Sequence, residues 1–172
     1  MRCRWMLVTL LLMLGSRAAW AEQGEAVLRA TADGSSVAGT ATFLETEAGL
    51  DVRIELMQTP AGLHGLHIHQ YGSCAEGGGA AGGHYNPDQV PHGFLPKNGF
   101  SGAHAGDLGN IEIGPDGTGQ LELTLSGLGL GNGRYRVAGR AVILHEKSDD
   151  FGQPTGNAGG RIGCGTIVIT GE

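Results

Sequence analysis

Six of the seven histidines and one aspartate stand in an order suited to holding metal ions. His67-Ile68-His69 comes first. In a strand, residues i and i+2 project from the same face, so both imidazoles converge on one point while Ile68 turns into the core. His84, His92, His104 and Asp107 follow, the last two within one turn of each other. Three imidazoles and a carboxylate suit a closed tetrahedral Zn²⁺ site. His145 ends the apolar run Val142-Ile143-Leu144 and adds a third nitrogen to the His67/His69 pair. Each residue alone has an ordinary reading. His92, between Pro91 and Gly93, reads as an exposed loop histidine, and His104 with Asp107 as a surface hydrogen-bonded pair. Together the six are better explained by metal. His64 lies outside the pattern and reads as a structural hydrogen-bonding residue.

The elements that must position these side chains are strands. Asp51-Val52-Arg53-Ile54-Glu55-Leu56 alternates strictly, as do Gln120 to Leu125 and Ile111-Glu112-Ile113. Gly114-Pro115-Asp116-Gly117 reads as the turn of a hairpin joining the last two. Ala26 to Thr31, Gly39 to Leu44, Val137 to Leu144 and Gly165 to Thr170 are further strands, with Asp33-Gly34 and Glu47-Ala48-Gly49 as turns. No segment keeps helical periodicity over three turns. The pattern predicts an all-β antiparallel sandwich or barrel of about eight strands. Two long segments interrupt it, about Gln70 to Gly109 and about Glu146 to Gly163, and loops of that length are usually functional.

Composition agrees. Gly supplies 33 of 172 residues, about a fifth of the chain, against roughly 7% ordinarily, with no three-residue period. Acidic residues outnumber basic ones 17 to 11, which argues against a nucleic-acid partner. Met1-Arg2-Cys3-Arg4, the apolar run Trp5–Leu14 and Ala19-Trp20-Ala21 have the layout of a secretory leader over residues 1–21. About ten apolar residues are too few to span a bilayer, so no stable membrane anchor is expected. Cleavage leaves residues 22–172 as one domain with 8 basic and 17 acidic residues, and with Cys74 and Cys164 as its cysteines. In an exported protein this pair is most simply a disulfide, closing a loop of about ninety residues for roughly 4–5 kcal/mol. Two unpaired buried thiols are the other reading.

The same residues carry a resemblance. Gly62-Leu63-His64-Gly65-Leu66-His67-Ile68-His69 resembles one signature of the copper–zinc superoxide dismutases. Gly156-Asn157-Ala158-Gly159-Gly160-Arg161-Ile162-Gly163-Cys164-Gly165 resembles the other. Gly83-His84-Tyr85-Asn86-Pro87, His104 to Asn110 and His145 to Asp150 fall between them in the family order. The match covers essentially the whole mature chain. It implies a Greek-key β-sandwich, or flattened barrel, with two long functional loops. It implies one copper ion per subunit on His67, His69, His84 and His145, and one zinc ion on His84, His92, His104 and Asp107. His84 is then a bridging imidazolate. Asp149 becomes the outer carboxylate joining a copper ligand to a zinc ligand, Cys74 pairs with Cys164, and Arg161 stands at the mouth of the copper site.

The activity implied is dismutation of superoxide to dioxygen and hydrogen peroxide by redox cycling of the histidine-bound copper, with His84 and Arg161 as the catalytic residues. Superoxide is the expected partner, and a homodimer is one assembly in keeping with the family. A net negative chain attracts an anion through local field, because charge beyond about 8–10 Å is screened. The segment from His92 to His104 is longer than the family's commonest form, and that between Asp150 and Thr155 is shorter than in eukaryotic members. With the leader, these features point to the bacterial exported branch and the periplasm, or otherwise to secretion. The alternative is a non-catalytic copper-binding or copper-delivery domain of the same fold, which would be expected to lack a ligand such as His145 or the docking Arg161.

Overall fold

A computed structural model describes residues 21–32 and 35–171. The expected leader, apart from Ala21, and the expected turn at Asp33-Gly34 lie outside the described residues. The strands are β1 (Gln23–Ala30), β2 (Ala38–Thr46), β3 (Gly49–Met57), β4 (Gly62–His69), β5 (Asp107–Ile113) and β6 (Gly119–Leu125). They continue as β7 (Leu128–Gly129), β8 (Tyr135–Arg136), β9 (Ala141–His145), β10 (Arg161–Thr166) and β11 (Val168–Gly171). Alternation builds the interior. Ala26 and Leu28, Ala41 and Phe43, and Val52, Ile54 and Leu56 point inward, while Arg53 and Glu55 stay exposed. At positions such as the fully buried Ile54, truncation to Ala costs about 2–5 kcal/mol.

Antiparallel pairing runs in the order β5-β4-β9-β10-β1-β2-β3-β6, an almost closed barrel, with β11 added beside β1. The chain crosses between distant strands after β3 and after β6, giving the Greek-key connection. Register then does the positioning. His67 pairs with Ile143 on β9 and with Asp107 on β5, and Arg161 pairs with His145 across β9 and β10. An isolated bridge joins His69 to His84. From His64 to His69, and from Ala141 to His145, every residue is buried, so these strands carry their histidines inside the protein.

Several expected elements differ. The turn at Gly114 forms, with Gly114 N–H on Thr118 O and Gly117 N–H on Gly114 O, but β5 and β6 do not pair beyond it. The short helix α1 (Leu95–Asn98) packs against both strands and covers this seam with buried Leu95. The strand expected from Val137 begins only at Ala141. Val137 to Arg140 instead form a turn with Gly139 at φ +77°. The strand expected over Gly165–Thr170 starts earlier, at Arg161, and breaks at Ile167, whose N–H and C=O bond to Arg140 O and Gly139 N–H. The two long loops are shorter than expected, since Asp107 and Arg161 already belong to strands, and the first contains a 3-10 turn (Gly79–Ala81) besides α1. Among the described residues, no helix is long and apolar enough to cross a membrane.

Candidate metal centre

β4 delivers His67 and His69, β9 ends on His145, and the segment after β4 brings His84 back against His69. The potential donor atoms of these four buried residues all lie within 4.8 Å of one another. A second buried group meets the same criterion: His84, His92, His104 and Asp107. His84 belongs to both. Its Nδ1 lies 3.0 Å from Asp107 Oδ1 and 3.4 Å from His104 Nδ1, so its other nitrogen is the one left for the first group.

The hydrogen bonds of the rings decide where their lone pairs point. His69 Nδ1 donates to Gly82 O at 2.9 Å, and His145 Nδ1 to Gly159 O at 3.3 Å. Each Nε2 is then unprotonated, yet the two Nε2 atoms stand only 3.4 Å apart. Two facing lone pairs at that distance repel unless a cation lies between them. His67 Nε2 donates to Asp149 Oδ2 at 2.8 Å, and His92 Nε2 lies 3.0 Å from both Asp149 oxygens. The His67 Nδ1 is buried with no hydrogen-bond partner, and the buried His92 Nδ1 has Asp107 Oδ2 beside it at 2.9 Å. Buried polar atoms are rarely left unpaired, so the His67 Nδ1 calls for a partner that the side chains around it do not supply. Four imidazoles suit copper, whereas three imidazoles and a carboxylate suit zinc. The donor sets fit both ions.

Electrostatics separates the groups. Burial pushes His69 down to about 2, His145 to about 3 and His84 to about 4, so these rings are neutral at physiological pH. Burial also disfavours a charged His92, but the carboxylates of Asp107 and Asp149 beside it raise it to about 9. Burial alone would raise Asp107, yet bonds from His104, His84, His92 and the Gly93 N–H hold it far below the usual carboxylate range. Asp149 is lowered in the same way, chiefly by His67 and His92.

Arg161, opposite His145, donates from Nη1 to Gly78 O and Gly79 O, and from Nη2 to Gly82 O at 2.6 Å. Among the described residues no carboxylate pairs with it. Burial lowers its pKa, but a guanidinium remains charged. Gly82 O therefore serves both His69 and Arg161. The Cys74–Cys164 disulfide, with Cα atoms 5.7 Å apart, ties the loop carrying these carbonyls to β10.

His64 bonds through Nδ1 to His145 O at 2.8 Å and through Nε2 to Pro60 O at 2.9 Å, the structural role read for it. Two amides had given no signal beyond their residue type. Asn110 accepts from Asp149 N–H at 2.7 Å and donates to Asp149 O at 2.9 Å. Gln153 holds the main chain of His92 in the same two-sided manner.

Residues 37–167 match the family model described as copper/zinc superoxide dismutase (SODC). The chain is 41% identical over 136 residues to an extracellular Cu-Zn superoxide dismutase of Caenorhabditis elegans, covering 75% of this chain and 60% of that one. It is 40% identical over 146 residues to the Drosophila melanogaster extracellular Cu-Zn superoxide dismutase, covering 80% and 78%. A Cu-Zn superoxide dismutase of Onchocerca volvulus is 37% identical over 156 residues, covering 84% and 94%. Among solved structures, one titled as the clock protein EA4 superposes with a TM-score of 0.77 at 32% identity, over 88% of this chain and 97% of that one.

Proposed function

Because the chain belongs to the copper/zinc superoxide dismutase family, we propose that it is an exported enzyme converting two superoxide anions and two protons into dioxygen and hydrogen peroxide. The observation that carries this reading is His84, one imidazole shared by two buried donor groups of different chemistry. Copper held by the first group supplies one-electron redox chemistry, and zinc held by the second supplies fixed positive charge. The zinc ligands assigned are His84, His92, His104 and Asp107. The copper ligands are His67, His69, His84 and His145.

The chain's own residues do the rest. Arg161, cationic and free of any carboxylate among the described residues, attracts the anion and docks it beside His145. Its forked grip on loop carbonyls fixes where the charge sits. The His84 nitrogen facing the first group carries one of the two protons the peroxide needs. Asp149 orients His67 and His92 through their Nε2–H groups and so couples the two sets. We place the protein in the bacterial exported branch, in the periplasm, on the leader over residues 1–21 and the short Asp150–Thr155 segment. The extracellular naming of the worm and fly relatives is in keeping with export.

The test is to quantify both metals and superoxide turnover in protein purified from its native compartment. Copper, zinc and turnover together are expected. Metal without turnover would make it a copper-binding domain, and absence of both metal and turnover would overturn the reading.

A further inference from the structure

The peptide of His92 is gripped by a single distant side chain. Gln153 Oε1 accepts the His92 N–H at 3.0 Å, and Gln153 Nε2 donates to His92 O at 2.9 Å, across 61 residues of sequence. The neighbours of Gln153 press on the same residue. Phe151 adopts φ +60°, uncommon for a bulky side chain. In that conformation its N–H reaches Asp149 Oδ1 at 2.8 Å, and its ring lies nearly parallel to the His92 imidazole, 19° between planes with centroids 6.4 Å apart. At Gly156 (φ +76°) a Cβ would collide with Asp149 Oδ1 and come within 2.7 Å of His92 Nε2. The next residue, Gly93, donates its N–H to Asp107 Oδ2 at 2.9 Å.

These contacts divide the work. Asp149 fixes the ring of His92 at Nε2, and Asp107 fixes the peptide after it. Asp107 thus holds the His92–Gly93 peptide from its N–H side, whereas Gln153 holds the same peptide from the His92 carbonyl and also takes the His92 N–H, which neither carboxylate reaches. Asn110 applies the same device to Asp149, so the arrangement occurs twice around one zinc-side contact. We propose that Gln153 is a positioning residue of the zinc set, clamping the His92 main chain so that its buried Nδ1 stays aimed at the point it shares with Asp107. This rests on the reading of His92 as a zinc ligand.

The test uses the full chain loaded with copper and zinc, and follows transfer of zinc to a chromogenic chelator. Gln153→Met keeps side-chain length and removes both bonds; Gln153→Glu keeps the acceptor for the His92 N–H and loses the donor. Gln153→Met is expected to release zinc about tenfold faster, as fits the loss of two partly exposed hydrogen bonds. Gln153→Glu should fall between it and the parent protein. Copper retention should be unchanged in both. Unaltered zinc release, or copper lost as quickly as zinc, overturns the clamp. His92→Ala is the separate control: zinc held as firmly without that imidazole would instead overturn the ligand reading beneath it.

Discussion

The group of His67, His69, His84 and His145 is assembled mainly by strands, whereas His92 and His104 of the other group come from a segment with little regular structure. In the first, sheet register sets the imidazoles, burial keeps His69, His84 and His145 neutral, and single carbonyls choose the tautomers of His69 and His145. In the second, sheet pairing supplies Asp107 and the shared His84, and the remaining geometry depends on hydrogen bonds to Asp107, Asp149 and Gln153. A site built by a ladder exists before its ion arrives. A site built by a loop shares its order with the ion, because part of the binding free energy is spent organising the ligands.

The largest expected consequence is in hydrogen exchange. Removing zinc from the loaded protein should speed amide exchange across residues 92–104 by about a thousandfold or more, the range open to local unfolding of loops. Removing copper should leave β4 and β9 protected. Equal deprotection of both regions, measured by mass spectrometry, would erase the distinction between the two groups.

Asp149→Asn comes next. The carboxylate serves one ring of each group, His67 and His92, and is itself buried. Loss of an outer partner of metal-bound histidines typically costs 10–100-fold in affinity. Here that loss should fall on zinc, because His67 remains fixed by β4 while His92 has no strand to hold it. Competition titrations against chelators of known affinity measure it. A larger loss for copper than for zinc would reverse the comparison.

What could be read in advance follows the same division. The alternation in β3 and the His67-Ile68-His69 spacing were legible because a strand's period of two decides which side chain faces inward. Their metal meaning came from order and family resemblance. The β5–β6 seam was not legible, since Gly114-Pro115-Asp116-Gly117 is the same turn whether or not its flanks pair, and a helix from elsewhere in the chain covers the gap. Nor was Gln153, an exposed loop amide whose partner lies 61 residues away. Loop-built contacts carry no period, so composition cannot announce them.

Arg161→Ala sharpens the copper side. Its guanidinium is held by carbonyls of Gly78, Gly79 and Gly82, so this charge is loop-mounted although the neighbouring histidines are strand-mounted. The superoxide rate should fall about tenfold and become less dependent on ionic strength, as expected when a local steering charge is lost. Metal content should not change. A rate that falls together with copper content would make Arg161 part of the binding frame.

The smallest effect, about one proton, separates the groups most directly. In the metal-free protein His92 keeps its proton up to about pH 9, whereas His69 and His145 lose theirs near 2 and 3. A ligating imidazole must be neutral at the nitrogen that binds. At pH 7.5, zinc binding should therefore displace a proton from His92, and copper binding should displace none from His69 or His145. The sign carries over to stability. A folded-state pKa raised above the ordinary 6.5 stabilises the metal-free protein below pH 6.5, and that contribution is lost as pH rises through about 9. Zinc-loaded protein, with the proton already gone, should show no such decline. Calorimetric titration in buffers of different ionisation enthalpy counts the protons. Zinc-linked release that does not shrink as the pH rises through 9 would mean that His92 is not the residue giving up its proton, and that the carboxylates around it do not distinguish the zinc group in the way described.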